Sequence, residues 1–416
     1  MDWPAIDWYV AGPSVGILLG VLVLALLARL LIKYVLRNLW TRRTTTLMTA
    51  MGIAFVVWAS ILSLGLLEGI GHSLRVSGDP NDLIILRQGS TNEMSSTIDG
   101  STAQEISTIQ GVMSSDGGAP LVSAELVTAT TSPRRWNLGD SNVVIRGMTS
   151  VGSTLRPGFN IVEGRFFKPG LYEAITSRRM AERFENAGYG EQFPISNSVR
   201  FRIVGIFESG GGSAESEIWT DLQTLSQVRE RGGTVSSIQL RAIDSDAKDA
   251  VRDRITNDEQ FGLEATDEIA YFEDQIEAAS VLRFVGYVIA SFLTIGAMFA
   301  SANTMFAAIA SRSREIGTLR AIGFPRKTIL AAFLLESIFI CSIGGMIGCL
   351  LTWPINGLST GTTNFATFSE ITFSFRFGPR VLLQGMGLAV MMGVVGGLLP
   401  AVRAVTINII QALREI

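Results

Sequence analysis

Five stretches of the chain carry no charged side chain: Trp8–Ala28, Thr44–Leu67, Phe284–Ser311, Ser337–Ser369 and Val381–Val402. A helix needs about 20 predominantly apolar residues to cross roughly 30 Å of hydrocarbon, and each run reaches that length. The fourth run turns polar near its end, so its apolar part is placed from Thr328 to Trp353-Pro354. The pattern predicts spanning helices over about 8–33, 45–69, 281–310, 328–352 and 380–402. Before the first run lie Asp2 and Asp7 without Lys or Arg, and no small-residue cleavage site follows, so the first helix is expected to be retained rather than removed as a signal peptide.

Between the second and third runs the periodicity changes. Val199-Arg200-Phe201-Arg202-Ile203 alternates strictly, as a half-buried strand does, and Asp82–Arg87, Asn142–Arg146 and Ser237–Arg241 are also strand-like. Thr102 with Glu105 forms a capping-box pattern, and Ser177–Asn186 and Ala247–Thr256 read as helices. Pro133–Asp140 and Ser209–Ser216 look like exposed loops, the second with the flexible-tip composition Ser209-Gly210-Gly211-Gly212-Ser213. The segment from 71 to 280 is long enough for its own core, in two subdomains. The fold class expected is therefore a multi-pass α-helical membrane protein with an α+β extracytoplasmic domain and five predicted transmembrane helices.

Two amphipathic segments flank the third span. Ile269, Phe272, Ile276 and Ala279 form a helical stripe, and no Gly or Pro interrupts Leu263–Val285. One helix can run from the domain into the bilayer, either as an amphipathic end packed on the domain or as a stalk that carries motion. After the span, Arg314, Glu315, Arg320, Arg326 and Lys327 alternate with Ile316, Leu319, Ile322 and Phe324, and Gly323 and Pro325 end the segment. This short helix suits either docking on a partner or lying among lipid headgroups.

Charge then sets the orientation. Arg29, Lys33, Arg37, Arg42 and Arg43 separate the first two helices, Arg312 to Lys327 hold five cations between the third and fourth, and Arg403 and Arg414 follow the fifth. Positive residues favour the cytoplasmic side, which puts the N-terminus, Gly71–Ser280 and Pro354–Pro379 outside. Residues 69–280 carry a net −11 and the remainder +8. An acidic domain on a basic-edged anchor argues against a nucleic-acid partner. The composition, 47% hydrophobic and 17% charged with a mean hydropathy of +0.35, excludes a disordered, collagenous or disulfide-scaffold protein.

Groups for catalysis are sparse. Glu336 is the one ionisable side chain well inside a predicted span, read as a hydrogen-bonded structural carboxylate rather than a proton relay. His72 is the sole histidine, and Cys341 and Cys349 lie in one helix without a histidine or carboxylate set for a metal. No Gly-x-x-x-x-Gly-Lys-Ser/Thr pattern occurs, so no P-loop chemistry is expected of this polypeptide alone. No cofactor or metal site is read. Gly344/Gly348 and Gly393/Gly397 are spaced for close helix packing.

The ordered motifs resemble the permeases of the FtsX/MacB/LolC superfamily of ABC transporters. Asn303-Thr304-Met305, Arg314-Glu315-Ile316-Gly317, Leu319-Arg320-Ala321-Ile322-Gly323 and Leu335-Glu336 with Gly344-Gly345 carry the likeness. So do Arg37-Asn38-Leu39, Arg42-Arg43, Pro400-Ala401-Val402-Arg403-Ala404 and Gln411-Ala412-Leu413-Arg414. In the outer segment Arg146-Gly147, Glu163-Gly164-Arg165-Phe166-Phe167 and Phe201–Phe207 look like a MacB-type periplasmic domain. Two departures are an additional span before the usual four and Asn408 where many members have proline.

The resemblance implies domains at 1–36 (additional helix), 37–70, 71–280 (MacB-like, with stalk) and 281–416 (FtsX-like, with a coupling loop at 311–327). It implies a non-catalytic permease in a bacterial inner membrane, paired with a second copy as a homodimer and driven by separate ABC ATPase subunits. Arg314, Glu315, Ile316, Gly317, Leu319, Arg320, Ile322, Gly323 and Phe324 then form the ATPase-coupling segment, and Ile269, Phe272 and Ile276 the stalk. A periplasmic adaptor and an outer-membrane channel are further candidate partners. Export of a hydrophobic or amphiphilic substrate leads. Lipoprotein extraction, FtsX-like control of cell-wall hydrolases, and a membrane-anchored scaffold or sensor remain as alternatives. For the topology, Asp2→Cys is expected to react with a membrane-impermeant maleimide from outside intact cells, whereas Asn38→Cys reacts only after permeabilisation; the reverse pattern refutes the orientation.

Overall fold

A computed structural model describes residue 37 and residues 43–406, apart from residues 116, 138, 197, 259, 279 and 364–368. The first expected helix, at 8–33, and the motif at 411–414 lie outside the described residues. Among the described residues, four helices are long and apolar enough to cross a membrane: Arg43–Ser73, Phe284–Ala310, Arg326–Ile355 and Pro379–Thr406. The chain divides into a helical unit, the described parts of Met1–Leu67, Leu282–Gly357 and Phe375–Ile416, and a sheet unit, Glu68–Val281 with Leu358–Ser374.

In chain order, helix α1 (Arg43–Arg75) leads to strands β1 (Asp82–Arg87) and β2 (Ile98–Asp99), helix α2 (Thr102–Ser107), β3 (Val122–Pro133), β4 (Asp140–Met148), β5 (Phe159–Gly164) and β6 (Glu173–Ser177). Next come α3 (Arg178–Arg183), β7 (Gln192–Pro194), β8 (Arg200–Ser209), β9 (Glu217–Asp221), α4 (Leu222–Val228), β10 (Thr234–Val235), β11 (Ser237–Arg241), α5 (Ser245–Asn257) and β12 (Leu263–Asp267). The remainder is α6 (Glu268–Ala278), α7 (Ser280–Ala310), α8 (Ser313–Ala321), α9 (Arg326–Thr352), β13 (Ser359–Thr363), β14 (Glu370–Ser374) and α10 (Pro379–Thr406).

One ten-stranded mixed sheet runs through the sheet unit in the order β12-β1-β11-β3-β4-β9-β6-β8-β5, with β7 beside β8. Strand β3 joins its two halves: Glu125 pairs with Ser237 of β11, and Leu126 onward pairs with β4. Each half has its own apolar centre, one around Leu83, Ile106, Ile238 and Val251, the other around Phe184, Phe193, Phe201 and Ile218. At the join lies Arg146, 5% exposed, with Glu93, Glu125 and Glu217 each about its guanidinium at 2.7 Å. Trp219 donates its indole N–H to Glu217, and Ser237 its hydroxyl to Glu93. Burial pushes the Glu93 carboxyl up, but Arg146 beside it more than offsets this and holds it below its ordinary value. Gly147 follows because α4 lies directly over it: a Cβ there would meet the Leu225 side chain at 2.9 Å.

Three local expectations change. The capping box at Thr102 is not formed; Ser101 is the N-cap, and its hydroxyl is taken by Asp99 at 2.8 Å. Ser209–Ser216 is not an exposed tip, since Ser209, Ala214, Glu215 and Ser216 are buried. Glu215 accepts the N–H groups of Ser209 and Gly211 at 2.8 Å, which folds the glycine run around one carboxylate. Helix 263–285 is shorter at its start, because Leu263–Asp267 is drawn into the sheet by pairing with β1. Ala279 lies outside the described residues, and so do the surroundings of Ile276.

In the helical unit α9 is buried on nearly every side from Ala331 to Ile338, as befits a helix apolar all round. Small residues bring its neighbours close. A Cβ on Gly344 would stand 2.6 Å from the Ala50 carbonyl oxygen of α1, and one on Gly348 2.8 Å from that of Ala54. Gly393 and Gly397 of α10 face Ile338 and Ser337 in the same way, and Ser337 donates to the Gly393 carbonyl at 2.8 Å. Cys341 is buried and Cys349 half-buried, both free thiols.

Glu268 opens α6 and ties it to the segment after α1: its carboxyl accepts the Asp79 N–H at 3.1 Å and the Gln239 amide at 3.2 Å. Burial raises its pKa to about 8 against the pull of Arg156, with Asp82 adding to the rise. The folded state thus keeps a proton that the unfolded chain releases near its ordinary value of 4.5. Stability should fall as pH rises between those two values. Asp82, raised to about 6, shares the lower part of that window. We expect Glu268→Gln to flatten the stability profile from pH 6 to 8 by up to about 1.4 kcal/mol per pH unit, measured by chemical denaturation. An unchanged slope counts against a buried neutral Glu268.

Candidate functional site

The loop between α7 and α9 gathers most of the residues singled out in the sequence. Helix α8 begins after Arg312 and ends in a tight cap. Gly323, at φ +103°, lets its own N–H reach the Arg320 carbonyl and the Phe324 N–H reach that of Leu319. A side chain with a Cβ would resist that backbone, which explains the glycine. Pro325 then caps α9.

Helix α8 is anchored at both ends. At its start Arg312, 5% exposed, directs one guanidinium nitrogen at both Glu336 oxygens, at 3.1 and 3.2 Å. Glu336 is 4% exposed on α9. The intramembrane carboxylate is therefore half of a buried ion pair. Toward the end, Arg320 donates to the Val405 carbonyl at 2.9 Å. That carbonyl belongs to the last turn of α10, where the helix dipole favours a cation. Arg403 on the same turn lies over the Phe306 ring of α7 at 5.7 Å. Two of the long helices, α9 and α10, thus meet α8 or its flanks through positive side chains, and Arg403 ties α10 to α7.

The apolar residues of this segment do not form one ridge. Ile316 and Gly317 are buried, Ile316 among Ile309, Ile329, Ala401 and Val405. Leu319, Arg320 and Phe324 are half-buried, whereas Arg314, Glu315 and Gly323 are exposed and Ile322 is 72% exposed. At about 100° per residue, Ile322 lies roughly 240° around the helix from Ile316, so the two cannot share a face. The helix turns Ile316 inward and presents Arg314, Glu315 and Ile322. Of the stalk residues, Ile269 and Phe272 are half-buried; Tyr271 between them is buried with Ile84 and Leu86, and Phe272 packs against that cluster.

Arg312 escaped the sequence reading. It counted only as one of five loop cations, and nothing in a 24-residue separation signals its pairing with Glu336. No group of three or more His, Cys, Asp or Glu side chains suited to a metal ion occurs among the described residues.

The family model described as MacB-like periplasmic core domain matches residues 46–258, and that described as FtsX-like permease C-terminal matches 287–409. The chain belongs to the FtsX/MacB/LolC superfamily of ABC transporter permeases. The uncharacterized ABC transporter permease YknZ of Bacillus subtilis is 22% identical over 404 residues, covering 92% of this chain and 98% of its own length. The macrolide export ATP-binding/permease protein MacB of Marinobacter nauticus is 25% identical, covering 92% of this chain, which spans only 60% of that protein. The crystal structure of the periplasmic region of MacB from Actinobacillus actinomycetemcomitans aligns over 50% of this chain and 97% of its own, at 14% identity and a TM-score of 0.37.

Within this permease, loss of either member of the Arg312–Glu336 pair strands a charge in a dry site, at a cost of about 3–5 kcal/mol, whereas replacing both by apolar residues is near neutral. Arg312→Met and Glu336→Leu should each lower the thermal midpoint in detergent, and the double variant should recover most of the loss. Equal midpoints for single and wild-type proteins would show that the pair is not desolvated.

Proposed function

We propose that the chain is the permease subunit of a mechanotransmission-type ABC transporter. An ABC ATPase on the cytoplasmic side of the inner membrane engages the exposed face of α8, namely Arg314, Glu315 and Ile322 with the rim of Leu319. ATP-driven movement of α8 displaces α9 through Arg312–Glu336 and α10 through Arg320 and the Val405 carbonyl. The sheet unit receives the motion and acts on a hydrophobic or amphiphilic substrate outside the membrane, for export with an adaptor and an outer-membrane channel.

The observation that carries this reading is the double anchoring of α8. A helix resting on lipid headgroups needs no buried ion pair at its root, but a lever does. The single buried carboxylate of α9 is occupied by Arg312, which speaks for force transfer rather than proton relay. A second copy of the chain fits α7, where Phe284, Phe292 and Phe299 are each about 70% exposed on one stripe. Transport is preferred over a signalling role because the sheet unit is a large, two-centred domain.

Leu319→Asp and Glu315→Arg are expected to leave the chain folded but to break its complex with the ATPase, reducing co-purification at least about tenfold, the change that 1.4 kcal/mol produces. ATP-dependent function should fall in step. Undiminished complex formation in both variants would refute the docking role of α8.

A further inference from the structure

For the stretch between α9 and α10 the charge pattern sets only a location, Pro354–Pro379 outside the membrane. The stretch forms a hairpin, with Ser359 opposite Ser374 and Thr363 opposite Glu370, and Leu358–Ser374 belongs to the sheet unit. What holds it there is specific. Glu370 is 1% exposed. Its Oε2 accepts from Arg134 Nε at 2.7 Å, and its Oε1 from Arg183 Nε at 2.9 Å and from a second Arg183 nitrogen. Arg134 lies in the turn after β3 and Arg183 closes α3, so one carboxylate joins two separate parts of the sheet unit.

Further contacts align the strand behind it. The Thr372 N–H donates to the Ser216 hydroxyl at 2.8 Å, the two hydroxyls lie 2.9 Å apart, and Arg179 reaches the Ser374 hydroxyl at 3.1 Å. Gly69 of α1 faces the same strand: a Cβ there would stand 2.5 Å from the Ser374 carbonyl oxygen. A small cavity of about 60 Å³ is lined by Ser369 and Glu370 together with Tyr271, Phe272 and Gln275 of α6 and by Arg146 and Glu217. Two segments that continue into spanning helices, α6 and the hairpin, therefore line one cavity of the sheet unit beside Arg146 and Glu217, and α1 packs on the hairpin strand at Gly69.

We propose that Glu370 is the positioning residue of a third mechanical connection, through which the β13–β14 hairpin delivers displacement of α9 and α10 to the sheet unit. The hairpin is the direct covalent continuation of both helices. A hairpin without the clasp would slide or peel when pulled; one held by a buried carboxylate between two guanidinium groups moves its domain with it. This role rests on the mechanotransmission reading, and the test separates the two.

The full chain in lipid nanodiscs with its co-purified ATPase is followed by hydrogen exchange, with and without ATP. Glu370→Gln, which keeps the volume and removes the charge, should speed exchange in 359–363 and 370–374 by about tenfold or more. The ATP-dependent change in the sheet unit should fall by at least half while ATP hydrolysis continues. Arg134→Gln, which leaves Arg183 in place, should give a smaller loss of the same kind. In the Glu370→Gln chain a disulfide between Ser216→Cys and Thr372→Cys, confirmed by non-reducing peptide mapping, should restore the response when oxidised and lose it when reduced. A purely local structural role would not be switched in this way. Unchanged hairpin exchange in Glu370→Gln, or a full ATP response despite a loosened hairpin, overturns the clasp alone. A wild-type complex without any ATP-dependent change in the sheet unit overturns the mechanotransmission reading and the clasp's role with it.

Discussion

A charge taken out of water costs several kcal/mol unless it meets an opposite charge with good geometry. Three of the places where the described residues meet that constraint are joins between elements distant in sequence. Arg312 and Glu336 fix the root of α8 to α9. Arg146, among Glu93, Glu125 and Glu217, closes the junction between the halves of the sheet. Glu370, between Arg134 and Arg183, attaches the hairpin. Such pairs contribute little net stability compared with well-packed apolar residues. Their value is specificity, since a shift of a few ångströms leaves a buried charge without its partner.

Close approach of the long helices is achieved by other means. Between apolar helices in lipid the hydrophobic effect supplies no attraction, so packing depends on small residues and a few polar contacts. Gly344 and Gly348 face α1 while Gly345 faces Ala389 of α10, so a single stretch of α9 receives two neighbours. Gly393 and Gly397 return the contact from α10. Packing of this density resists compression and passes displacement on.

Membership of the FtsX/MacB/LolC superfamily explains the division of the chain at the level of whole segments, and the geometry adds roles to individual positions. Arg146-Gly147 is at once the ionic centre and a place where α4 lies too close to the sheet for a side chain. Leu335-Glu336 carries the carboxylate for Arg312. Gly323 is a helix stop whose backbone conformation other residues resist.

By itself the sequence determined the apolar spans within 43–406, the strands at Asp82–Arg87 and Ser237–Arg241, the helix around Ala247–Thr256 and the close-packing role of the paired glycines. These follow from local periodicity and hydropathy, which every window of the chain carries. It also pointed to a structural Glu336, because one carboxylate without a His, Lys or second acid in the spans makes a poor proton relay. Only the tertiary structure decided which cation meets Glu336, why Glu215 folds the glycine run inward, and that Glu370 ends an uncharged run in order to hold a hairpin. It also split the expected ridge of α8 and drew Leu263–Asp267 into the sheet. The physical reason is the same in each case. Hydropathy is a property of single residues and their neighbours, whereas a buried ion pair or a strand pairing is settled between segments tens to hundreds of residues apart.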